Sequence, residues 1–281
     1  MIEIIKPGLY TSLQDKGRYN CSHLGAPSSG AMDSISASNA NRMLDNGPKA
    51  SVLECTIIGP EIKFNKSTAI AISGAVIQPF INGVPSFINK VLKVKSGDIL
   101  SFGKIVNGAR SYIAVRGGFL GTKVLGSQST CITSSILNLL KKGDHIEFAE
   151  YDGYFEQPPS LLKKIGNKNI NVLKGPEFEL IEKVNSNLSD VFRSSFVVRQ
   201  ESNRMAYRIS HDLNLSHDKS IISSGTIPGT IQLTPNGDLI FLMRDAQTTG
   251  GYPRVLQLTE IGICDLAQMK PGDEFKLKMD N

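Results

Sequence analysis

The chain has 281 residues, of which 40% are hydrophobic and 20% charged, with a formal net charge of +5. That suits one large globular domain or two of moderate size, and no apolar run approaches the roughly 18 residues that span a bilayer. The lysines are scattered rather than gathered on one stripe, which argues against a nucleic-acid partner.

The first segment, "MIEIIKPGLYTSLQDKGRYN", alternates apolar and polar residues and has no secretory apolar core, so a cytoplasmic protein is expected. "HLGAPSSGAMD" (23–33) follows and holds almost nothing that could fill a core. A helix is predicted over about 33–45: Asp33 is a good N-cap, Ile35, Ala37, Ala40, Met43 and Leu44 recur at near-helical spacing, and "DNGP" (45–48) stops the run.

Short β-like runs then dominate: "AIAIS" (69–73), "DILSF" (98–102), "SYIAVRGG" (111–118), "HIEFAE" (145–150), "NINVLKG" (169–175), "LIFLM" (239–243) and "EFKLKM" (274–279). Gly, Asn, Asp and Pro turns separate them, a spacing that favours a barrel or sandwich over a βαβ fold. Helices are few, with a second expected near 178–192 and a short third at 262–269.

A weak repeat runs through "KSGDILSF" (95–102), "KKGDHIEF" (141–148) and "KPGDEFKL" (270–277), and a second pair is "IGPEIKF" (58–64) with "KGPEFEL" (174–180). Together they predict two related β-rich units, 1–155 and 170–281, with a linker in "YDGYFEQPPSLLKKIGNKN" (151–169).

Cys21, Cys55, Cys131 and Cys264 are widely spaced and form no CxxC pair, which fits reduced, idle thiols and no structural zinc. "SGTIPGT" (224–230) lacks the lysine of a phosphate loop, and neither G-x-S-x-G nor H-E-x-x-H occurs. His211 and His217 are six apart, wrong for one helix face, and no metal site is expected.

Three polar stretches remain. In 13–33, Gln14, Asp15, Arg18, His23, Ser28, Ser29 and Asp33 lie in a glycine-punctuated segment feeding a helix N-terminus. It reads equally as an anion site or as a capped turn with satisfied serines. In "QESNRMAYR" (200–208), Arg204 and Arg208 flank Tyr207, and two surface arginines are the simpler reading. In "MRDAQTTGGYPR" (243–254), a strand runs into a loop too flexible and polar for packing alone, which favours function.

These stretches also carry a resemblance. "QDKGR" (14–18), "HLGAPSSGAMD" (23–33), "NANRML" (39–44), "LECTIIGPEIKF" (53–64), "YIAVRGG" (112–118), "LGSQST" (125–130), "SNRMAYR" (202–208), "SSGTIPGTIQLTPNGDLIFLM" (223–243) and "QTTGGYP" (247–253) resemble, in order and nearly end to end, the KipA-like family. That family comprises the C components of bacterial ATP-dependent 5-oxoprolinase, also described as biotin-dependent carboxyltransferase proteins or allophanate hydrolase subunit 2. The chain departs from it at "YNCS" (19–22), which replaces a Pro-Gly and an aromatic–basic pair, and at Asn203 and Ala206, where Asp and Gly are common. Asn20 can still adopt a left-handed turn.

The resemblance implies a mainly β fold of two cyclophilin-like β-barrel units with a few short helices. It implies two partners, a KipI-like B component and a LamB/YcsF-like A component. It also implies ATP-driven hydrolysis of 5-oxoproline to L-glutamate, with the ATP used by the complex. Two alternatives come with it. One is the carboxyltransferase component of a biotin-dependent, urea-type carboxylase, for which alone biotin would be a cofactor. The other is a non-catalytic antagonist of a KipI-like kinase inhibitor.

Under the leading expectation, Arg204 or Arg18 clamps the substrate carboxylate and His23 or Asp33 transfers a proton. Backbone N–H groups of 28–31 and 248–251 hold an oxyanion. Ser28, Ser29, Gly30, Tyr207, Gln247, Thr248, Thr249 and Gly250 complete the expected substrate contacts.

Overall fold

The computed structural model describes residues 1–131, 135–148 and 164–280. They form two compact units, the first from Met1–Arg18 and Ser29–Ile165, the second from Tyr19–Ser28 and Gly166–Asn281. The predicted linker at 151–169 lies for the most part in 151–163, outside the described residues.

The first unit contains β1 (Ile2–Lys6), β2 (Tyr10–Gln14), α1 (Ser34–Met43), β3 (Val52–Thr56), β4 (Glu61–Phe64), β5 (Thr68–Ile81), β6 (Val84–Pro85), β7 (Val91–Val94), β8 (Ile99–Val115), β9 (Phe119–Leu120) and β10 (His145–Phe148). They make one half-barrel sheet in the order β2-β3-β8-β4-β1-β10-β9, with β5 paired to β6, β7 and β8. Strand alternation builds two layers. Ile70, Ile72, Ile113 and Val115 face one apolar core with Ile2, Ile4, Phe64 and Phe148. Their neighbours Ala69, Ala71, Tyr112 and Ala114 face the other way, against Ala37, Ala40, Met43 and Leu44 of the α1 segment. The helix therefore sits where predicted, except that Ile35 is only half-buried and off this face.

The second unit contains β11 (Asn169–Lys174), α2 (Phe178–Glu182), β12 (Ser195–Val198), β13 (Ala206–Ser210), β14 (Ser224–Gly225), β15 (Thr230–Leu233), β16 (Leu239–Leu242), β17 (Thr249–Gly250), β18 (Arg254–Leu258), α3 (Glu260–Leu266) and β19 (Glu274–Met279). Seven of these strands close a barrel in the order β11-β18-β15-β16-β13-β12-β19, and β14 pairs with β17 outside it. The architecture is mainly β with few helices, as the sequence implies. Phe241 and Phe275 meet edge to face, with centroids 5.8 Å apart, and Phe196 stacks on Phe275 at 5.6 Å.

The three Lys-x-Gly-Asp repeats fold identically. In each the Asp carboxylate accepts from the backbone N–H of the first Lys, at 2.8 Å (Asp98), 2.7 Å (Asp144) and 3.0 Å (Asp273). The third position is a left-handed glycine, with φ of 92° at Gly97, 86° at Gly143 and 87° at Gly272. Each turn launches a strand: β8, β10 and β19. The second repeat pair diverges, because "IGPEIKF" enters β4 whereas "KGPEFEL" leaves β11 and starts α2.

The helix expected over 178–192 is broken. After α2, Asn185 accepts from the N–H of Asn187 (3.0 Å) and donates to the carbonyls of Asn214 and Ser216 (both 3.0 Å), so residues Ser186–Phe192 restart as a tight 3₁₀ turn. Asn and Ser compete for backbone groups in this way, and the helix period yields to them. The short third helix begins two residues earlier than expected, capped by the Thr259 hydroxyl at 3.0 Å from the Gly262 N–H.

Candidate functional site

The segment 13–18 is tied to 124–130 by one carboxylate. Asp15 accepts from Ser127 Oγ and Ser129 Oγ (both 2.6 Å), from the Gln128 N–H (2.8 Å) and from the Gly17 N–H (2.8 Å). Arg18, buried beside it, donates from Nε to the Val124 carbonyl (3.2 Å) and from its guanidinium to the Ser129 carbonyl. Both bonds hold Arg18 against backbone oxygen of the 124–130 loop. Gly30 closes over this turn with φ of 91°, and a Cβ there would lie 3.0 Å from the Lys16 carbonyl carbon. Ser29 is buried with φ of 53°, and its hydroxyl finds no partner among the described residues.

Asp33 is wholly buried and caps α1. Its carboxylate accepts from the Ser36 N–H (3.1 Å) and the Ser36 hydroxyl (2.7 Å), while its own N–H donates to Tyr112 Oη (2.7 Å). Tyr112 in turn donates to Glu54 Oε2 at 3.0 Å, which also accepts from the Met32 N–H at 2.7 Å. Arg110 faces the other Glu54 oxygen at 3.8 Å. Burial, helped by the negative charges of Glu54 and Asp33, drives the Tyr112 phenol well above its ordinary range, so it stays a donor. This network locks the start of α1 to the sheet.

"HLGAPSSGAMD" is divided between the units: 23–28 belong to the second and 29–33 to the first. His23 lies exposed on a single 3₁₀ turn, Ser22–Leu24, and Ser28 is half-buried. Asn20 adopts the left-handed conformation expected of it, with φ of 58°.

The other two stretches meet within the second unit. Backbone bonds from Asp245 N to Arg204 O and from Met243 N to Met205 O, each 2.9 Å, zip them together. Arg204, expected as a carboxylate clamp, is 5% exposed and grips Asp245 with both faces of its fork, at 2.8 and 3.0 Å. Tyr207, expected at the substrate, is buried and donates to the Met269 carbonyl at 3.2 Å. Alternation along β13 explains this placement: Tyr207 points to one face while Ala206 and Arg208 point to the other.

That other face carries a recess of about 280 Å³. Register builds its wall, because Arg208 lies opposite Ile240, and Ile240 lies opposite Gln232, in one row across β13, β16 and β15. Ala206 and Leu242 extend the apolar floor one pair further. Gln247, Gly250 and Tyr252, from the expected loop, close it. Thr248 and Thr249 do not line it: the Thr248 carbonyl accepts from the Thr226 N–H (3.0 Å), and Thr249 pairs with Gly225.

Sequence reasoning missed Gln232. Its signal lay in "TIQL" (230–233), where Thr230 and Gln232 alternate with Ile231 and Leu233. Arg208, which the sequence presents as a simple surface residue, is the cation at the recess, and its side chain makes no hydrogen bond among the described residues. A larger recess, about 610 Å³, runs along α1 past Lys16, Ile35, Ser38, Asn39 and Arg42. It holds none of the residues expected to act on substrate. Among the described residues no three His, Cys, Asp or Glu gather to hold a metal, and no helix is long and apolar enough to cross a membrane.

One chain thus holds a half-barrel sheet and a closed barrel, with a polar-rimmed recess on the barrel wall. The chain belongs to the family described as carboxyltransferase domain, subdomain A and B, whose model matches residues 24–279. It is 32% identical to the 5-oxoprolinase C subunit of Escherichia coli over 97% of this chain and 89% of that protein. The crystal structure of the Kluyveromyces lactis urea carboxylase matches at 27% identity and a TM-score of 0.86, over 98% of this chain but only 27% of that one. The crystal structure of TTHA0988, at 24% identity, shares the fold with a TM-score of 0.88 over 99% of this chain and 56% of its own.

Proposed function

We propose that this chain is the C component of an ATP-dependent 5-oxoprolinase, a hydrolase active only in complex. Its partners are a KipI-like B component and a LamB/YcsF-like A component, and the products are L-glutamate, ADP and phosphate. The observation that carries this reading is the near end-to-end similarity to a bacterial protein named as the C subunit of 5-oxoprolinase.

The recess on the second unit fits a planar lactam carboxylate. Ile240 and Leu242 offer an apolar bed for the ring, and Arg208 offers a cation for the carboxylate. Arg208 therefore replaces Arg204 in the clamp role, since the Arg204 fork is filled by Asp245. His23 serves the proton transfer better than Asp33, whose carboxylate caps α1. In the reaction, phosphorylation of the lactam oxygen by ATP makes the ring carbon electrophilic. One water adds to the ring carbon, the C–N bond breaks as the nitrogen takes a proton, and the γ-glutamyl phosphate left behind is hydrolysed by a second water, which releases phosphate and L-glutamate. The nucleotide is assigned to the complex.

Co-expression with the genomic neighbours and an assay of ATP-dependent glutamate formation from 5-oxoproline test the proposal. Omitting this chain should abolish the activity; undiminished activity without it rejects the reading.

The likeness to a urea carboxylase structure supports a second reading, a biotin-dependent carboxyltransferase component. Carboxyl transfer from carboxybiotin to an amide acceptor, with no glutamate formed from 5-oxoproline, would favour that reading instead.

A further inference from the structure

We propose that Gln247 and Gln232 form an amide reader, in which Gln247 binds the ligand's N–H and Gln232 sets the direction in which Gln247 points. The inference rests on the recess being the substrate site and names what that site demands of a substrate: an unsubstituted amide N–H on a small ring bearing an acid group.

The geometry fixes the orientation of both carboxamides. The Tyr252 carbonyl only accepts, so the group that faces it at 3.3 Å is Gln232 Nε2. That turns Gln232 Oε1 towards Gln247, and the group facing it, at 3.4 Å, is Gln247 Nε2. Gln247 Oε1 is left over: it is buried and has no hydrogen-bond partner among the described residues. A buried carbonyl without a donor is costly, and Gln247 is one of the residues that line the recess. Gln232 itself is 1% exposed, so this arrangement belongs to the barrel wall rather than to a loose surface chain.

Gly250 preserves the device. A Cβ at Gly250 would lie 2.4 Å from Gln232 Nε2, so any larger residue must push the Gln232 carboxamide out of line. The recess thus brings together Gln247, whose Oε1 a ligand donor would satisfy, an apolar bed, and one cation, Arg208. A ring amide supplies the matching donor, and an attached carboxylate supplies the anion. A lactone, or an N-methyl lactam, keeps the shape and loses the donor.

The test measures binding to the full chain and turnover by the complex. The probes are 5-oxoproline, N-methyl-5-oxoproline and the corresponding lactone acid. The wild-type protein should bind the N–H compound at least roughly tenfold more tightly than either analogue, the loss that one unmet buried acceptor brings. Gln247→Leu should erase that preference, and Gln232→Leu should erase it through Gln247. Gln232→Glu, which keeps an acceptor for Gln247 Nε2 but loses the donor to the Tyr252 carbonyl, should lower the preference without erasing it. Gly250→Ala should weaken the preference.

Equal binding of all three probes to wild type, or a preference that survives in Gln247→Leu, overturns the amide reader. The preference holding in binding while the complex makes no glutamate would instead reject the 5-oxoprolinase reading and leave the reader standing.

Discussion

Arg204 and Arg208 stand four residues apart and have opposite roles. Arg204 is in a buried bidentate pair with Asp245, and removing one partner of such a pair strands the other charge. Arg204→Ala is therefore expected to cost about 3–5 kcal/mol in urea unfolding, with any loss of activity following loss of fold. Arg208 is exposed at the rim of the recess, and Arg208→Ala should move stability by no more than about 0.5 kcal/mol. Its effect should be a raised KM for a carboxylate substrate of the complex. A large stability loss in Arg208→Ala, or a wild-type urea midpoint in Arg204→Ala, would reverse the assignment. The sequence marked both arginines and favoured Arg204 as the clamp, because the residue that occupies its fork, Asp245, lies 41 positions away.

Elements are set by local chemistry where that chemistry is strong. The Lys-x-Gly-Asp turns illustrate this, since the same Lys, Gly and Asp give the same left-handed glycine and the same Asp-to-backbone bond in both units. At Gly272 no atom lies within reach of an added Cβ, so the cost of Gly272→Ala is conformational alone. It should be about 1 kcal/mol, with Gly272→Asn costing less because Asn tolerates the left-handed region. Thermal unfolding of the two variants checks the order, and an Ala variant as stable as Asn would refute it. The cap of α1 was legible at Asp33 for the same reason: a short acceptor before an apolar helical period. The broken helix at 178–192 was not legible, because the bonds that break it reach Asn214 and Ser216.

Across the whole molecule, pH couples to folding through groups that differ in how they meet water. The ring of His211 packs edge to face on Phe196, 5.9 Å between centroids, with Nδ1 buried and unpartnered. Burial lowers its pKa from the ordinary value, outweighing the pull of Asp238 and Asp212. The unfolded chain then takes a proton that the folded chain resists. Stability should be full above about pH 6.5 and fall as pH drops below it, until the folded ring itself titrates. Glu177 behaves differently in range. Its hydrogen bond from Arg254 holds its carboxyl below the usual value, so its contribution is present above about pH 4.3 and fades only in stronger acid. Urea midpoints from pH 7.5 to 5 should therefore decline in the wild type and flatten in His211→Gln. An unchanged slope in that variant would place the coupling elsewhere.

By itself the sequence determined the β-rich class, the start of α1, the repeated turns and the family, because each is written in residues adjacent along the chain. It also marked the stretches that carry the recess. Only the tertiary structure decided which of their side chains face it. Strand alternation turned Tyr207 inward and Arg208 outward, and register set Gln232 and Ile240 in its row. Burial left Gln247 Oε1 without a donor. These facts depend on pairings between strands tens of residues apart. Local propensity does not encode such pairings; packing and hydrogen-bond satisfaction in the closed barrel do.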